Sequence, residues 1–334
     1  MTAAIEETFA PDGPIPITVV TGFLGAGKTS LVNRLVAARA GAERIGVVVN
    51  EVGDIGLDGS LLGDTSDDVV EIADGCVCCT SQGELLDAIT RLHGAAGHLD
   101  RIIVETSGLA DPGPVIDALA GVTHVLRLDT LVAVIDAVYA LDQLDRLQSP
   151  EALQQVQLAT HVVVSKSDIA APEAVEGVRA RVLALNPAVE VVVATRGELD
   201  PELLLDHFAF GAEADAGDAG HGHDHGHGHD HGHEHLDVEI FSLELEGELD
   251  AGRFDGWLGS LIWLNAPDLF RVKAILALSG QPQRQVVHGV QTYVESSVGR
   301  DWEPDEPRTS RIVVIGRNLE SERWRDELTR CVAG

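Results

Sequence analysis

The stretch "TGFLGAGKTS", residues 21–30, decides the fold class. It follows the apolar, β-branched run "ITVV" and leads into "SLVNRLVAAR", which has the apolar spacing of a helix. From Gly22 to Thr29 it satisfies the pattern GxxxxGK[ST] in full. A strand, a glycine-rich loop and a helix in this order predict a phosphate-binding P-loop rather than an ordinary glycine-rich turn.

Each residue type in this loop has a task in phosphate binding. The glycines let backbone N–H groups turn inward on the phosphates, Lys28 can bridge the β and γ phosphates, and Thr29 can ligate magnesium. The predicted nucleotide-binding residues here are Gly22, Gly25, Ala26, Gly27, Lys28, Thr29 and Ser30.

Further β-branched runs alternate with helical stretches from about residue 16 to 195. Such continuous apolar runs are typical of strands that are buried on both faces of a parallel sheet. We therefore predict an α/β fold with a doubly wound, mainly parallel sheet. The predicted strands are "ITVVTG", "IGVVVN", "RIIVETS", "LVAVIDA", "HVVVSK" and "VEVVVAT".

The chain of 334 residues exceeds a typical domain of roughly 100 to 200 residues. We divide it into an N-terminal tail (1–14), the P-loop domain (15–210), a linker (211–235) and a smaller α+β domain (236–334). The linker, "GAEADAGDAGHGHDHGHGHDHGHEH", has no large apolar residue, and we expect it to be disordered. The last domain should end in a helix over "LESERWRDELTRCV".

The net charge of −31 argues against nucleic acid and anionic membranes as partners and favours cations. The N-terminal residues lack the features of a signal peptide, and no apolar run approaches the roughly 18 residues of a membrane span. We expect a cytoplasmic protein. In that reducing compartment the four cysteines should be metal ligands, reactive thiols or core residues rather than disulfides.

The run "SKSD", residues 165–168, follows a late strand, where GTPases carry the pattern NKxD. Asp168 can pair with the guanine N1–H and exocyclic amine, which favours GTP over ATP. The stem of Lys166 would pack along the base. Ser165 stands where the usual residue is Asn, and an ordinary loop is the alternative interpretation.

The run "VETSGLADP" ends another predicted strand. Glu105 can hold the magnesium shell, and the Gly108 amide can reach the γ-phosphate. A buried structural acid is the alternative for Glu105. With Lys28 and Thr29, these two residues form the predicted catalytic set.

Three of the four cysteines, Cys76, Cys78 and Cys79, lie in "GCVCC". Three thiolates can take three of the four tetrahedral zinc positions, with an imidazole or carboxylate completing the set. A redox thiol pair and a packed structural patch are the alternatives. Cys331, in the predicted last helix, is expected to pack in the core.

The run "NEVGDIGLD", residues 50–58, follows the second predicted strand and carries Glu51, Asp54 and Asp58. In a P-loop GTPase this is switch territory, so its carboxylates could serve magnesium or a transferred metal. For Asp54 and Asp58 a solvated loop position is the alternative.

Together, "GFLGAGKTS", "NEVGDIGLD", "GCVCCT", "ETSGLADP" and "SKSD" closely resemble the CobW family of P-loop GTPases, which is associated with metal insertion and metallochaperone work. The runs "RVKAILAL" and "PRTSRIVVIGR" look like the CobW C-terminal domain, so the resemblance covers nearly the whole chain. Ser165, and Asp54 where many relatives carry Glu, depart from the family pattern.

The resemblance implies a GTPase that carries its cargo metal on Cys76, Cys78 and Cys79, with Glu51 as the best-placed carboxylate partner. The implied cofactors are GTP or GDP, Mg²⁺ and Zn²⁺, and the implied partner is a client metalloprotein. Co²⁺, delivered for cobalamin synthesis or to nitrile hydratase, is the alternative cargo, and homo-oligomerisation is left open. A histidine-rich metal buffer and a P-loop kinase of a small metabolite are the rival functions.

Eight histidines of the linker alternate with Gly, Asp and Glu. Because no fold fixes their geometry, they should bind zinc, nickel or cobalt loosely, as a collecting arm; a plain spacer is the alternative. They are His221, His223, His225, His227, His229, His231, His233 and His235.

These segments suggest how nucleotide could control the metal. We predict that the strand ending near Cys76 lies between the two nucleotide-sensing segments, so that the thiol site has two arrangements set by GTP or GDP. Intrinsic hydrolysis should be slow, because no arginine finger or evident Gln is in place.

Overall fold

The computed structural model describes residues 13–49, 69–73, 82–108, 110–147, 149–195, 198–207, 238–303 and 306–333. The chain divides into two compact units. The first comprises Met1–Ala209 and Gln291–Tyr293, and the second comprises Phe210–Val290 and Val294–Gly334. None of the helices in these ranges is long and apolar enough to cross a membrane.

A seven-stranded sheet in the order β3-β2-β4-β1-β5-β6-β7 forms the first unit. Every adjacent pair of strands in it is parallel, which confirms the predicted fold class. All six quoted runs are strands, because β-branched residues fit a sheet that is covered on both faces. The strands are β1 (Ile15–Gly22), β2 (Ile45–Val49), β3 (Val69–Ala73), β4 (Arg101–Glu105), β5 (Leu126–Asp136), β6 (His161–Ser165) and β7 (Glu190–Val193).

Five α-helices connect these strands. Three of them carry proline in the first turn, where the missing N–H costs nothing and the fixed φ suits a helix. Ser149 caps one of these, since its hydroxyl accepts a hydrogen bond from Ala152 N at 3.3 Å. The helices are α1 (Lys28–Arg39), α2 (Gln82–Ala96), α3 (Gly113–Ala120), α4 (Pro150–Leu158) and α5 (Pro172–Leu185). A π-helical turn (Asp142–Leu147) and a 3₁₀ turn (Pro201–Leu203) complete the unit.

The strand order places a ligand crevice at the carboxyl end of β1. The chain runs from β1 to β2 on one side of the sheet, returns through β4, and then crosses β1 to reach β5. Such a reversal leaves a crevice beyond the strand ends, and this is where open α/β sheets bind ligands. At Gly22 a Cβ would lie 2.1 Å from Val134 O, so only glycine lets β1 leave the sheet here.

The strand before the cysteines, β3, does not lie between the two nucleotide-sensing segments, so that prediction is wrong. β3 is the outermost strand, and β2 separates it from β4. The cause is the crossover from β3 through α2, which inserts β4 between β2 and β1 rather than beyond β3. Because Ala73 and Glu105 both pair with Val49, the ends of these three strands are level. With two strand spacings between them, the Cα atoms of Ala73 and Glu105 are roughly 10 Å apart.

A five-stranded sheet in the order β11-β10-β9-β12-β8 forms the second unit, and the pairs β10–β9, β9–β12 and β12–β8 are antiparallel. Phe241, Phe254, Trp257 and Trp324 are buried in its core, and Trp257 Nε1 donates to Trp324 O at 3.1 Å. The strands are β8 (Glu239–Glu246), β9 (Leu269–Ala277), β10 (Gln283–Val290), β11 (Tyr293–Asp301) and β12 (Thr309–Gly316). The helices are α6 (Ala251–Asn265) and α7 (Ser321–Thr329).

Cys331 is buried in this core, as predicted, but it does not lie on the last helix. The helix α7 ends at Thr329, because the chain then turns to pair with the segment before α6. Asp250 N donates to Cys331 O at 2.8 Å, and Val332 bridges to Leu249. Burial raises the pKa of the Cys331 thiol, which makes it a packing residue rather than a reactive one.

Candidate nucleotide site

The P-loop leaves the carboxyl end of β1 and opens α1. Gly25 and Gly27 have φ values of +71° and +101°, which a residue with a side chain adopts only with strain. No side chain caps α1 and its first turn has no acidic residue, so its N–H groups and the positive end of its dipole are left for an anion. The arrangement suits a phosphate.

The side chain of Lys28 lies over this loop and is 7% exposed. Its Nζ donates to Phe23 O at 3.1 Å, and Ala26 N donates to the same oxygen at 3.2 Å. A phosphate oxygen is a charged and stronger acceptor than a carbonyl, so the ammonium can transfer to it without leaving the loop. Lys28 is therefore held where the phosphates of a nucleotide would lie.

Thr29 and Glu105 meet in the same crevice. Thr29 Oγ1, in the first turn of α1, donates to Glu105 Oε1 at 2.9 Å, and Glu105 ends β4. Magnesium prefers oxygen ligands and is usually held by one or two protein groups together with phosphates and waters. A hydroxyl and a buried carboxylate side by side fit that requirement.

The loop that follows β4 packs tightly against the P-loop. Thr106 Oγ1 donates to Thr21 Oγ1 at 3.0 Å, and Thr106 N donates to Val20 O at 2.9 Å. At Gly108 a Cβ would lie 2.6 Å from Leu24 N, so no side chain fits between the two loops. The backbone of Gly108 thus lies directly against the P-loop.

The segment after β6, expected to read the base, is tied to the P-loop by Ser165. The Ser165 hydroxyl, which is buried, lies 2.7 Å from Ala26 O and 3.1 Å from Ile135 O, and both oxygens are acceptors. A hydroxyl has one proton to donate, and the shorter distance favours Ala26 O. The serine that replaces the usual asparagine therefore still supplies a donor toward the P-loop.

Lys166 occupies a constrained position in this segment. Its φ is +56°, and its Nζ lies 2.6 Å from Asp136 Oδ2. Asp136 ends the neighbouring strand β5 and also accepts from Val138 N at 2.8 Å. Asp168, two residues further on, is exposed. The pair fixes the direction of the Lys166 stem beside the P-loop crevice.

Sequence reasoning missed several residues that shape the site. No sequence motif marks Asp136. Its partner Lys166 is distant in sequence, and the two residues meet only because β5 and β6 pair. The backbone after β7 was also missed, although Ser167 Oγ donates to Ala194 O at 2.8 Å. Gln155, on α4, was another omission: its Nε2 donates to Ala110 O at 2.9 Å in the loop after β4.

The proposed cargo ligands lie outside the described residues. These are Cys76, Cys78, Cys79 and Glu51, together with Asp54, Asp58 and the eight histidines of the linker. Within the ranges that the structure does describe, no three His, Cys, Asp or Glu side chains come together as a metal site.

Comparison with known proteins identifies both parts of the chain. Residues 16–193 match the CobW/HypB/UreG nucleotide-binding domain, and residues 238–332 match the cobalamin synthesis protein cobW C-terminal domain. The zinc chaperone CobW of Pseudomonas aeruginosa is 35% identical over 351 residues, covering 96% of this chain and 92% of that protein. The zinc chaperone YjiA of Escherichia coli is 30% identical over 319 residues, covering 93% and 97%. The crystal structure of Zn(II)-bound YjiA GTPase from E. coli superposes with a TM-score of 0.65 at 28% identity, covering 96% and 99% of the two chains.

Proposed function

The chain belongs to the CobW family of P-loop GTPases, and from that premise we propose that it is a zinc metallochaperone. It hydrolyses GTP to GDP and phosphate, holds zinc on a CxCC site, and delivers the metal to a client protein under control of the nucleotide. The observation that carries the nucleotide half of this proposal is the 2.9 Å contact of Thr29 with Glu105 beside a complete P-loop.

The nucleotide half assigns a task to each group in the crevice. Thr29 and Glu105 would hold Mg²⁺, which when bound neutralises charge on the β and γ phosphates. Lys28 binds the same phosphates as a point charge, and the Gly108 N–H contacts the γ-phosphate. Asp168 pairs with guanine, while Lys166 supports the base.

The metal half rests on the three clustered cysteines and on relatives. Two curated relatives, at 35% and 30% identity over most of the chain, are named zinc chaperones. Cys76, Cys78 and Cys79 supply three thiolates and Glu51 a carboxylate, a donor set that suits tetrahedral zinc. By the order of divalent-metal affinities the same set favours zinc over cobalt. The histidines of the linker bind metal loosely and collect it.

Control by nucleotide is supported by the level ends of three adjacent strands. β4 ends at Glu105 in the magnesium site, β2 leads into the segment with Glu51, and β3 leads toward Cys76. Roughly 10 Å separates the outer two of these ends, so the strands that lead toward the two proposed sites end close together. If nucleotide changes zinc affinity in this way, zinc changes nucleotide affinity by the same factor.

Metal analysis of the untagged protein tests the cargo site. We expect one tightly held zinc equivalent in the wild type, and its loss in the variants Cys76→Ser, Cys78→Ser and Cys79→Ser. Cys331→Ala is the matched control, because Cys331 is buried in the second unit and should leave the zinc content unchanged. Zinc content that is the same in all four variants as in the wild type would refute the cargo assignment.

A further inference from the structure

The loop after β4 is held from the side of α4 by a buried glutamine. Gln155 is 1% exposed. Its Nε2 donates to Ala110 O at 2.9 Å and lies 3.4 Å from Gly108 O. An amide nitrogen has two protons, so both loop carbonyls can share this one side chain. The contact spans more than forty residues of sequence and ties the loop to α4.

Gly108 is therefore confined on two sides. The P-loop backbone at Leu24 leaves no room for a Cβ at Gly108, and the amide of Gln155 holds its carbonyl group. The Gly108 N–H belongs to the peptide unit of the Ser107 carbonyl, which accepts a hydrogen bond from Ala110 N at 3.0 Å, and Gln155 holds the Ala110 carbonyl of the same turn. The contacts on this turn therefore set the direction of the Gly108 N–H. The direction of this N–H decides whether it can meet a γ-phosphate.

The side-chain oxygen of Gln155 suggests that the loop after β4 has a second position. Gln155 Oε1 is buried and has no hydrogen-bond partner among the residues that the structure describes. A buried acceptor without a partner is unfavourable, and such a group in a native protein calls for an explanation. A loop that shifts when a γ-phosphate binds could bring a backbone N–H to this oxygen.

The preceding residue reinforces the attachment. In the amide orientation that suits its neighbours, Gln154 turns its side-chain nitrogen toward the loop. This nitrogen donates to the Asp111 carboxylate, at 2.8 Å from Oδ2 and 3.1 Å from Oδ1. Asp111 is partly buried, and burial raises the pKa of its carboxyl group. Two consecutive residues of α4 thus hold one short loop, while the remainder of α4 packs against β1 and β5.

We propose that Gln155 is a positioning residue for the γ-phosphate-sensing loop, through which the protein distinguishes GTP from GDP. The inference rests on the proposed function, in which the Gly108 N–H contacts the γ-phosphate. Gln155 itself does not touch the nucleotide. It sets the position of the group that does, and it links that group to α4.

Nucleotide affinities of the full chain test this proposal. The measured quantity is the ratio of the affinity for a non-hydrolysable GTP analogue to the affinity for GDP, both with magnesium. Gln155→Leu keeps the volume and removes the hydrogen bonds, and should lower this ratio roughly tenfold, the usual worth of one or two hydrogen bonds. GDP affinity itself should change less than about twofold, since GDP lacks the group that the loop senses.

Gln157→Leu is the matched control. Gln157 lies on the same helix and is equally buried, but its side-chain nitrogen and oxygen make no hydrogen bond to the loop or to any other described residue. Loss of packing or of helix stability would affect both variants alike. A change in the ratio that is confined to Gln155→Leu therefore reports on the loop.

Gln155→Glu adds a second measurement, the pH dependence of the affinity ratio, which a merely structural role of Gln155 would not change. A carboxylate facing two carbonyl oxygens repels them, whereas a protonated carboxyl can donate to one of them, and burial favours the protonated form. The ratio for Gln155→Glu should therefore recover as the pH is lowered, while the ratio for Gln155→Leu stays low.

The possible outcomes separate the two proposals. Wild-type protein that does not bind guanine nucleotides would overturn the proposed function together with this inference. Wild-type protein that prefers the GTP analogue, with a ratio unchanged in Gln155→Leu or lowered equally in Gln157→Leu, would overturn the positioning role alone. A lowered ratio in Gln155→Leu only, with recovery of Gln155→Glu at low pH, is the result we expect.

Discussion

The Ser165 hydroxyl lies 2.7 Å from the Ala26 carbonyl of the P-loop, so the serine supplies a hydrogen-bond donor to that loop at the position where the usual residue is asparagine. The hydroxyl links the segment that is proposed to bind the base to the P-loop. Since GTP and GDP would both touch the two segments in the proposed site, the link should matter equally for the two nucleotides. This distinguishes Ser165 from Gln155, whose loop is proposed to sense the γ-phosphate.

Removing the hydroxyl should therefore weaken both nucleotides together. For Ser165→Ala we expect GTP-analogue and GDP affinities to fall by a similar factor of about 5 to 10, because a buried carbonyl loses its donor. Ser165→Asn restores an N–H donor and should recover most of the affinity. Equilibrium binding of fluorescent nucleotides measures both. Unchanged affinity in Ser165→Ala would mean that the two loops are aligned by other contacts.

The residue contacts that the sequence could not predict share one physical cause. Lys28, Thr29 and Glu105 are recognisable because local motifs carry them, and the structure brings Thr29 to Glu105. Asp136 and Gln155 carry no motif, and their partners are Lys166 and the loop carbonyl of Ala110. Those partners are set by strand order and helix packing, which periodicity in the sequence does not encode.

At the scale of elements, the second sheet carries a group whose titration couples to stability. His288 on β10 pairs with Lys273 on the neighbouring β9. Burial, and then the positive charges of Lys273 and Arg271, lower the pKa of His288 to about 3. The folded protein therefore keeps this imidazole neutral at a pH where an unfolded chain would already bind a proton.

The sign of the resulting pH dependence follows from these two pKa values. The unfolded chain binds a proton near pH 6.5 and the folded protein only near pH 3, so the unfolded state is favoured as pH falls between them. This single group should cost the second unit about 1.5 to 2 kcal/mol between pH 6.5 and pH 5. His288→Gln cannot be protonated and should lose correspondingly less stability.

Urea unfolding followed by tryptophan fluorescence measures this difference. All four tryptophans, Trp257, Trp263, Trp302 and Trp324, belong to the second unit, so their fluorescence reports on that unit. If the wild type and His288→Gln lost the same free energy of unfolding between these pH values, His288 would not be the titrating group.

The periodicity of the sequence predicts most of the strands and helices, but it does not predict the order of the strands in the sheet. The buried strands of the first sheet are continuous apolar runs, and each was predicted. The position of β3 at the sheet edge depends on which side the crossover through α2 takes, and no run of residues shows that. Likewise, α7 stops before Cys331 because the chain there pairs with a distant segment.

At the scale of the whole molecule, the proposed function joins a nucleotide site and a zinc site in one chain. The candidate nucleotide site comprises the ends of β1, β4 and β6 and the loops after them, and the proposed zinc site follows β3 in the sequence. The edge position of β3 places it next to β2 and separates it from β1 by two strands. The histidines of the linker are proposed to bind metal only loosely.

Zinc titration in two nucleotide states tests the coupling most directly. The protein is titrated once with GDP and once with a non-hydrolysable GTP analogue, both as the full chain and after deletion of residues 221–235 to remove the loose sites. We predict that one tight site survives the deletion, and that its zinc affinity differs between the two nucleotides by a factor of about 5 to 150. Equal zinc affinity with both nucleotides, or loss of the tight site with the linker, would contradict the account.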